Sequence, residues 1–249
     1  MKKRNQATIG MIAAIVLLAC ACPVTGLPAL GGDATPTPDF SFVPPATEEV
    51  PTQAVQVPSN VLYSDDFSAP SAEMETYSGE DGTAGVENGT YVIRSTGDLW
   101  QWGKSTSQFA DTVVDVDVTM TVGPTNDNAG FGVVCRLTER EDTSVDGYMI
   151  AISGDGYYSI RDITASNMTA LVDWQFSDVI NQGANATNHL KVTCSGSNLS
   201  LEVNGEVIAT ASATPGDDLS GSIAFSAISF ETDQPVAEAH FDNLVISQP

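Results

Sequence analysis

Basic side chains are what this sequence has least of. Nine Lys and Arg stand against 32 Asp and Glu in 249 residues, a net charge of −23. A chain so poor in cations cannot displace counterions from phosphates, which excludes nucleic acid as a partner. It equally excludes electrostatic docking on anionic lipid. Histidine is scarce too: His189 and His240 are the two present, and no zinc-type His spacing exists. There is no Gly-x-Ser-x-Gly elbow and no phosphate-cradling glycine loop. Helical periodicity never persists beyond two turns. An apolar run at Ile9–Ala19 has only 11 residues, against the roughly 20 that cross a bilayer.

That short run has a different use. Lys2, Lys3 and Arg4 precede it, and Leu17-Leu18-Ala19-Cys20 closes it. Positive flank, short apolar core and small residue at the end describe an export signal. The closing tetrapeptide resembles the bacterial lipobox, in which cleavage falls before the Cys and a diacylglycerol is attached to its sulfur. Cys20 is therefore the expected lipidation site; Cys22 would leave Ala19 in the Leu position. Two acyl chains, at about 0.8 kcal/mol per buried methylene, anchor stably. The expected address is the outer face of the bacterial cytoplasmic membrane, reached through lipid alone. Cleavage removes three basic residues, leaving six against 32 acidic ones.

Residues 20–58 read as a tether. Eight of the 13 prolines fall in 23–58, with Phe40 and Phe42 as the sole aromatics. Proline fixes φ and lacks a donor, so the segment suits neither helix nor ladder. Extended at about 3.1 Å per residue it would reach on the order of 100 Å. The remaining residues, 59–249, form one domain with 16 of the 18 aromatics. With 42% apolar residues overall, a sizeable core is possible.

In that domain apolar residues take every second place. Val114, Val116, Val118 and Met120 do so, as do Phe131, Val133, Cys135 and Leu137. Tyr148-Ile150-Ile152, Leu190-Val192-Cys194, Leu199-Leu201-Val203 and Ile223-Phe225 repeat the pattern. This is the period of half-buried strands. Ser153-Gly154-Asp155-Gly156 and Asn204-Gly205 supply turns, the second a two-residue hairpin signal. About a dozen strands of this kind predict an all-β, antiparallel two-sheet jelly-roll sandwich. Cys135 and Cys194 both lie in phase with inward residues. In an exported chain they are expected either to pair as a disulfide or to stand as buried thiols. A bridge would close a loop of 58 residues.

Five stretches stand in a familiar order: Tyr63–Phe67, Asn128–Arg136, Gly147-Tyr148 with Asp155–Tyr158, Asn188–Val192 with Leu201–Gly205, and Phe241–Val245. Together, over about residues 60–248, they resemble the concanavalin A-like lectin/glucanase superfamily. Within it they resemble the laminin-G-like and 3-keto-disaccharide-hydrolase-type domains. The resemblance implies a jelly roll whose concave face or rim loops bind carbohydrate, often with one structural calcium ion. Enzymes, lectins and structural modules all occur on such a fold.

A laminarinase-type enzyme would carry Glu-x-Asp-x-x-Glu on one strand, and no such run occurs. Asp115 and Asp117 share a strand face and are the remaining catalytic candidates. Asp-x-Asp on an alternating strand also describes a solvated face. Aromatics are the better ligand candidates, because sugar rings pack C–H faces on aromatic planes. Trp100 and Trp102, two apart, should face the same way, with Tyr157, Tyr158 and Trp174 on neighbouring segments. Arg136 follows inward Cys135 and is expected on an open sheet face. There it either anchors a sugar or neutralises Asp115 or Asp117. For calcium, Asp65 and Asp66 near the first strand would meet Asp242 and Asn243 near the last, with Asn126–Asn128 as a second site. The expectation is a non-catalytic carbohydrate-binding module. Its alternatives are a glycoside hydrolase of the 3-keto-disaccharide-hydrolase type and a structural or protein-interaction module.

Overall fold

Along Thr112–Val122 buried and half-exposed residues alternate almost without fault, with Val114, Val116, Val118 and Met120 facing in. That strand sits near the middle of the larger of two sheets. The computed structural model describes residues 60–97, 99–214 and 220–249. The chain divides into two units, Met1–Gln53 and Ala54–Pro249. All described residues belong to the second. The expected export signal, the expected lipidation site Cys20 and the whole of the 20–58 tether lie outside them.

Fifteen strands and no helix make up the described residues. They are β1 (Val61–Asp65), β2 (Tyr77–Ser78), β3 (Gly82–Glu87), β4 (Thr90–Ser95), β5 (Gln101–Lys104), β6 (Thr112–Val122), β7 (Ala129–Glu139) and β8 (Val145–Ser153). Then follow β9 (Tyr157–Thr164), β10 (Asn167–Phe176), β11 (Thr187–Ser195), β12 (Asn198–Val203), β13 (Glu206–Ser212), β14 (Ser222–Ser229) and β15 (Ala237–Ser247). Nine strands form one sheet in the order β13-β12-β11-β6-β15-β4-β3-β2, with β1 pairing β15. Six form the other, β10-β9-β8-β7-β14-β5. Every pairing is antiparallel. The protein is the two-sheet jelly-roll sandwich expected from its alternation. Asn204 and Gly205 both adopt positive φ between β12 and β13, as a two-residue hairpin turn requires.

Between the sheets, Phe67, Tyr91, Phe225 and Phe241 form a chain of rings, the last two stacked at 4.2 Å. All four are fully buried, each ring contributing about 2–3 kcal/mol of transfer free energy. Beside them Cys135 of β7 and Cys194 of β11 form a disulfide, Cα–Cα 6.7 Å, that ties one sheet to the other.

One strand departs from simple alternation. The pairing of β7 with β8 shifts register between Cys135 and Thr138, and Arg136 takes φ 54°. Such a bulge adds one residue and reverses the phase that follows. Leu137 therefore does not continue the inward row of Phe131, Val133 and Cys135. It joins Val134, Met149, Ala151, Ile163 and Ala224 in a second apolar cluster on the outer face of the six-stranded sheet.

The same bulge corrects the expectation for Arg136. Its side chain leaves the open face and lies 6% exposed. It donates to the Gly196 carbonyl and to Asp111 Oδ1, each at 2.8 Å, and pairs with neither Asp115 nor Asp117. Asp111 also accepts the Gly196 N–H, so Arg136 pins the β11–β12 turn against β7 beside the disulfide. Arg136→Ala is expected to cost about 2–3 kcal/mol in chemical denaturation, through two charge-assisted bonds and a lost buried stem. Affinity for any ligand of the outer face should not change.

The outer face of the nine-stranded sheet is polar. Glu238, only 8% exposed, accepts from Arg94, His240 and Thr121. Burial opposes its charge, but those three bonds outweigh it and hold the carboxyl below its ordinary value. Asp146 is held low in the same sense by the fork of Arg140. A depressed carboxylate stabilises the fold above its unfolded pKa and loses that contribution as pH falls through its folded pKa. Melting temperature is therefore expected to fall as the pH drops through and below the ordinary carboxylate range. Glu238→Gln should flatten that acid limb; an unchanged limb would show that Glu238 carries none of it.

Candidate functional site

The outer face of the six-stranded sheet is built differently from its counterpart. Its outward positions near the centre are small: Gly130 and Gly132 on β7, Ala151 and Ser153 on β8, Ser226 on β14. Large rings lie over this floor. A Cβ at Gly130 would meet the Trp100 ring at 2.7 Å and the Phe230 ring at 2.9 Å. Glycine is thus required there for the rings to settle. Trp100, Trp102, Trp174 and Met168 pack on the second apolar cluster. This cover explains why β7, β8 and β14 are buried along nearly their whole length.

The rings form a row. Trp100 meets Phe230 edge to face at 5.8 Å, and Phe230 meets Trp174 at 5.5 Å with planes 75° apart. Arg161 stacks on Trp174, its Cζ 5.6 Å from the ring centroid, and is held by Ser159 and Asp173. At one end of the row a cleft of about 380 Å³ opens between Trp174, Phe230, Tyr157, Asn128, Ser153 and Asp155. Tyr157 and Phe230 stand 40% and 36% exposed, so part of each ring is open to solvent. At the other end Trp100 and Trp102 line a second depression of about 300 Å³ with Tyr77, Glu75, Gln101, Lys104 and Glu139.

Local chemistry fixes the first cleft. Gly156 at φ +93° closes the β8–β9 turn, its N–H on the Ser153 carbonyl. The Ser153 hydroxyl bonds to Asp155 and accepts the Tyr157 N–H, which sets both residues at the rim. Opposite, Asn126 and Asn128 donate to Glu231, holding its carboxyl below the ordinary value. Their turn is thereby clamped to the segment that carries Phe230.

Of the ligand candidates read from the sequence, Tyr157 and Trp174 line the first cleft, and Trp100 and Trp102 line the second. Trp100 and Trp102 do share a face. Tyr158 points the other way into the core, and Arg136 is in neither cleft. The sequence reading missed Phe230, which follows β14 outside any alternating run. It named Asn128 in a second calcium site and in one of the five family stretches, not as a ligand contact.

Asp115 and Asp117 share a face as expected, but on the nine-stranded sheet, away from the rings. His189 lies between them, Nδ1 2.8 Å from Asp117 and Nε2 3.5 Å from Asp115. Lys191 approaches Asp115 at 3.6 Å, and the Asn243 amide donates to Asp117. Neither histidine stands alone: His240 bonds Glu238 and Thr90. Near the paired strands β1 and β15, Asp65, Asp66 and Asn243 line a depression of about 400 Å³, without Asp242. Asp65 is engaged by the Phe67 N–H and the Tyr63 hydroxyl, and Asp66 by Ser68. Asp242 accepts the Asn243 N–H. Among the described residues no group of three or more His, Cys, Asp or Glu stands together as metal ligands would.

Comparison with solved structures places the fold. A β-glucanase from Bacillus licheniformis superposes with a TM-score of 0.54 at 12% identity, over 75% of this chain and 97% of the other. The catalytic domain of an endo-1,3-β-glucanase (laminarinase) from Thermotoga petrophila gives 0.53 at 7% identity, over 76% and 97%. A Bacillus subtilis protein of unknown function with a galectin-like fold gives 0.56 at 11% identity, over 76% and 96%. No protein-family model and no curated protein matches the sequence. What this chain shares with these proteins is the two-sheet jelly-roll fold, and at such identities the likeness extends to the fold alone.

Proposed function

We propose that this protein captures glycans without cleaving them, as a surface module held to the membrane by a lipidated Cys20. The observation that carries the reading is the cleft in which Trp174, Phe230 and Tyr157 present ring surface beside Asn128, Ser153 and Asp155. Flat apolar walls with a few directional polar groups suit a pyranose ring, whose faces are C–H rich and whose edge is hydroxylated. Retaining hydrolysis would need two carboxyls about 5–5.5 Å apart across the bound bond. Among the residues lining the cleft Asp155 is the one carboxylate. Calcium stays outside this reading.

Two assays on the purified chain test it. Affinity electrophoresis against a panel of soluble polysaccharides should show retardation by at least one of them. Reducing-end release from that same polysaccharide should stay at background. Release that is lost with Asp155→Asn would make the protein a hydrolase instead. No retardation, with and without calcium, would favour a protein-interaction module.

A further inference from the structure

The cleft holds a carboxylate acceptor, and two of its donors are already engaged. The Asn128 amide nitrogen is spent on Glu231 and the Ser153 hydroxyl on Asp155. Asp155 accepts only. The walls add negative character of another kind, since aromatic faces carry the negative lobe of the ring quadrupole. Trp174 and Phe230, both lining the cleft, meet at 75°. An edge-to-face pair turns its two ring faces in perpendicular directions, so two walls of the cleft differ in orientation. One indole already receives a cation: the Arg161 guanidinium lies over Trp174, neutralised by Asp173 and outside the cleft lining. No basic residue lines the cleft among the described residues. Residues 60–249 carry six basic against 28 acidic side chains, a field that concentrates cations and repels anions.

We propose that the cleft selects its ligand by an ammonium group, set against the faces of Trp174, Phe230 and Tyr157 and countered by Asp155. The inference rests on the glycan reading above and deepens it: the preferred ligand carries an unacetylated amino sugar rather than a neutral or uronic one. A choline substituent offers the same chemistry, so the test separates the two sources.

The full chain is titrated calorimetrically, at low salt and neutral pH, with four probes: a glucosamine tetramer, its N-acetylated counterpart, cellotetraose and choline. The glucosamine tetramer should bind ~10-fold or more tighter than cellotetraose, and added salt should erode that advantage. Asp155→Asn should abolish the preference for the glucosamine tetramer over cellotetraose, and Asp155→Glu should retain it. Equal or tighter binding of the acetylated or neutral tetramer overturns the ammonium inference and leaves glycan capture standing. Asp155-dependent choline binding with no oligosaccharide bound upholds the cation site and removes the glycan reading. Silence from all four probes overturns both.

Discussion

Trp174→Ala should weaken binding of a captured oligosaccharide roughly 30-fold, the scale of an anchoring aromatic at the centre of a site. Trp174 stands between Phe230 and Arg161 and forms one wall of the cleft. Its removal strips the stacking plane and frees Phe230 to move. The stability cost should stay near 1–2 kcal/mol, because the residue is half-buried on β10, an edge strand. Trp102→Ala provides the contrast. Its ring lies in the second depression with Trp100, so affinity should fall ~3-fold or less unless the ligand spans both sites. Calorimetry on both variants, with melting curves, checks the pair. Equal losses would move the site along the face; unchanged affinity for Trp174→Ala would move it elsewhere.

Reduction of the Cys135–Cys194 disulfide should cost about 4 kcal/mol in the chain-entropy account. For a domain of this size that lowers the melting temperature by about 8–16 °C. The bridge joins β7 to β11 across the two sheets, so its loss frees the sheets to part as well as lengthening the unfolded chain's options. Differential scanning calorimetry of the oxidised chain and of a Cys135→Ala/Cys194→Ala variant measures the difference. Binding well below the melting temperature should be the same in both forms, since neither cysteine touches the cleft. A shift of less than about 2 °C would show that the core alone sustains the sandwich.

The sandwich could be read from the sequence because alternation is a local record of which face is covered. Val114, Val116, Val118 and Met120 carried it for β6, and Asn204-Gly205 for the β12–β13 hairpin. Arg136 shows where such reading fails. A bulge leaves no mark in hydrophobic periodicity, and one extra residue at φ 54° sent Arg136 inward and Leu137 outward. The site was half visible. Trp100 and Trp102 stood out as a pair two apart, and Tyr157 and Trp174 as rings on neighbouring segments. Phe230 gave no signal, since its place depends on a clamp between Asn126, Asn128 and Glu231, more than 100 positions apart. Nor could spacing say that Asp115 and Asp117 belong to the sheet opposite the rings, because a strand's period does not name its sheet.

Amide chemical-shift mapping of the isotope-labelled chain, titrated with the tightest oligosaccharide of the panel, tests glycan capture on the six-stranded sheet most directly. The account predicts saturable shifts centred on Asn128, Ser153–Tyr157, Trp174 and Phe230, weaker ones toward Trp100, and none at Asp115, Asp117 or His189. Shifts confined to the nine-stranded sheet would contradict it, as would a spectrum that no oligosaccharide perturbs.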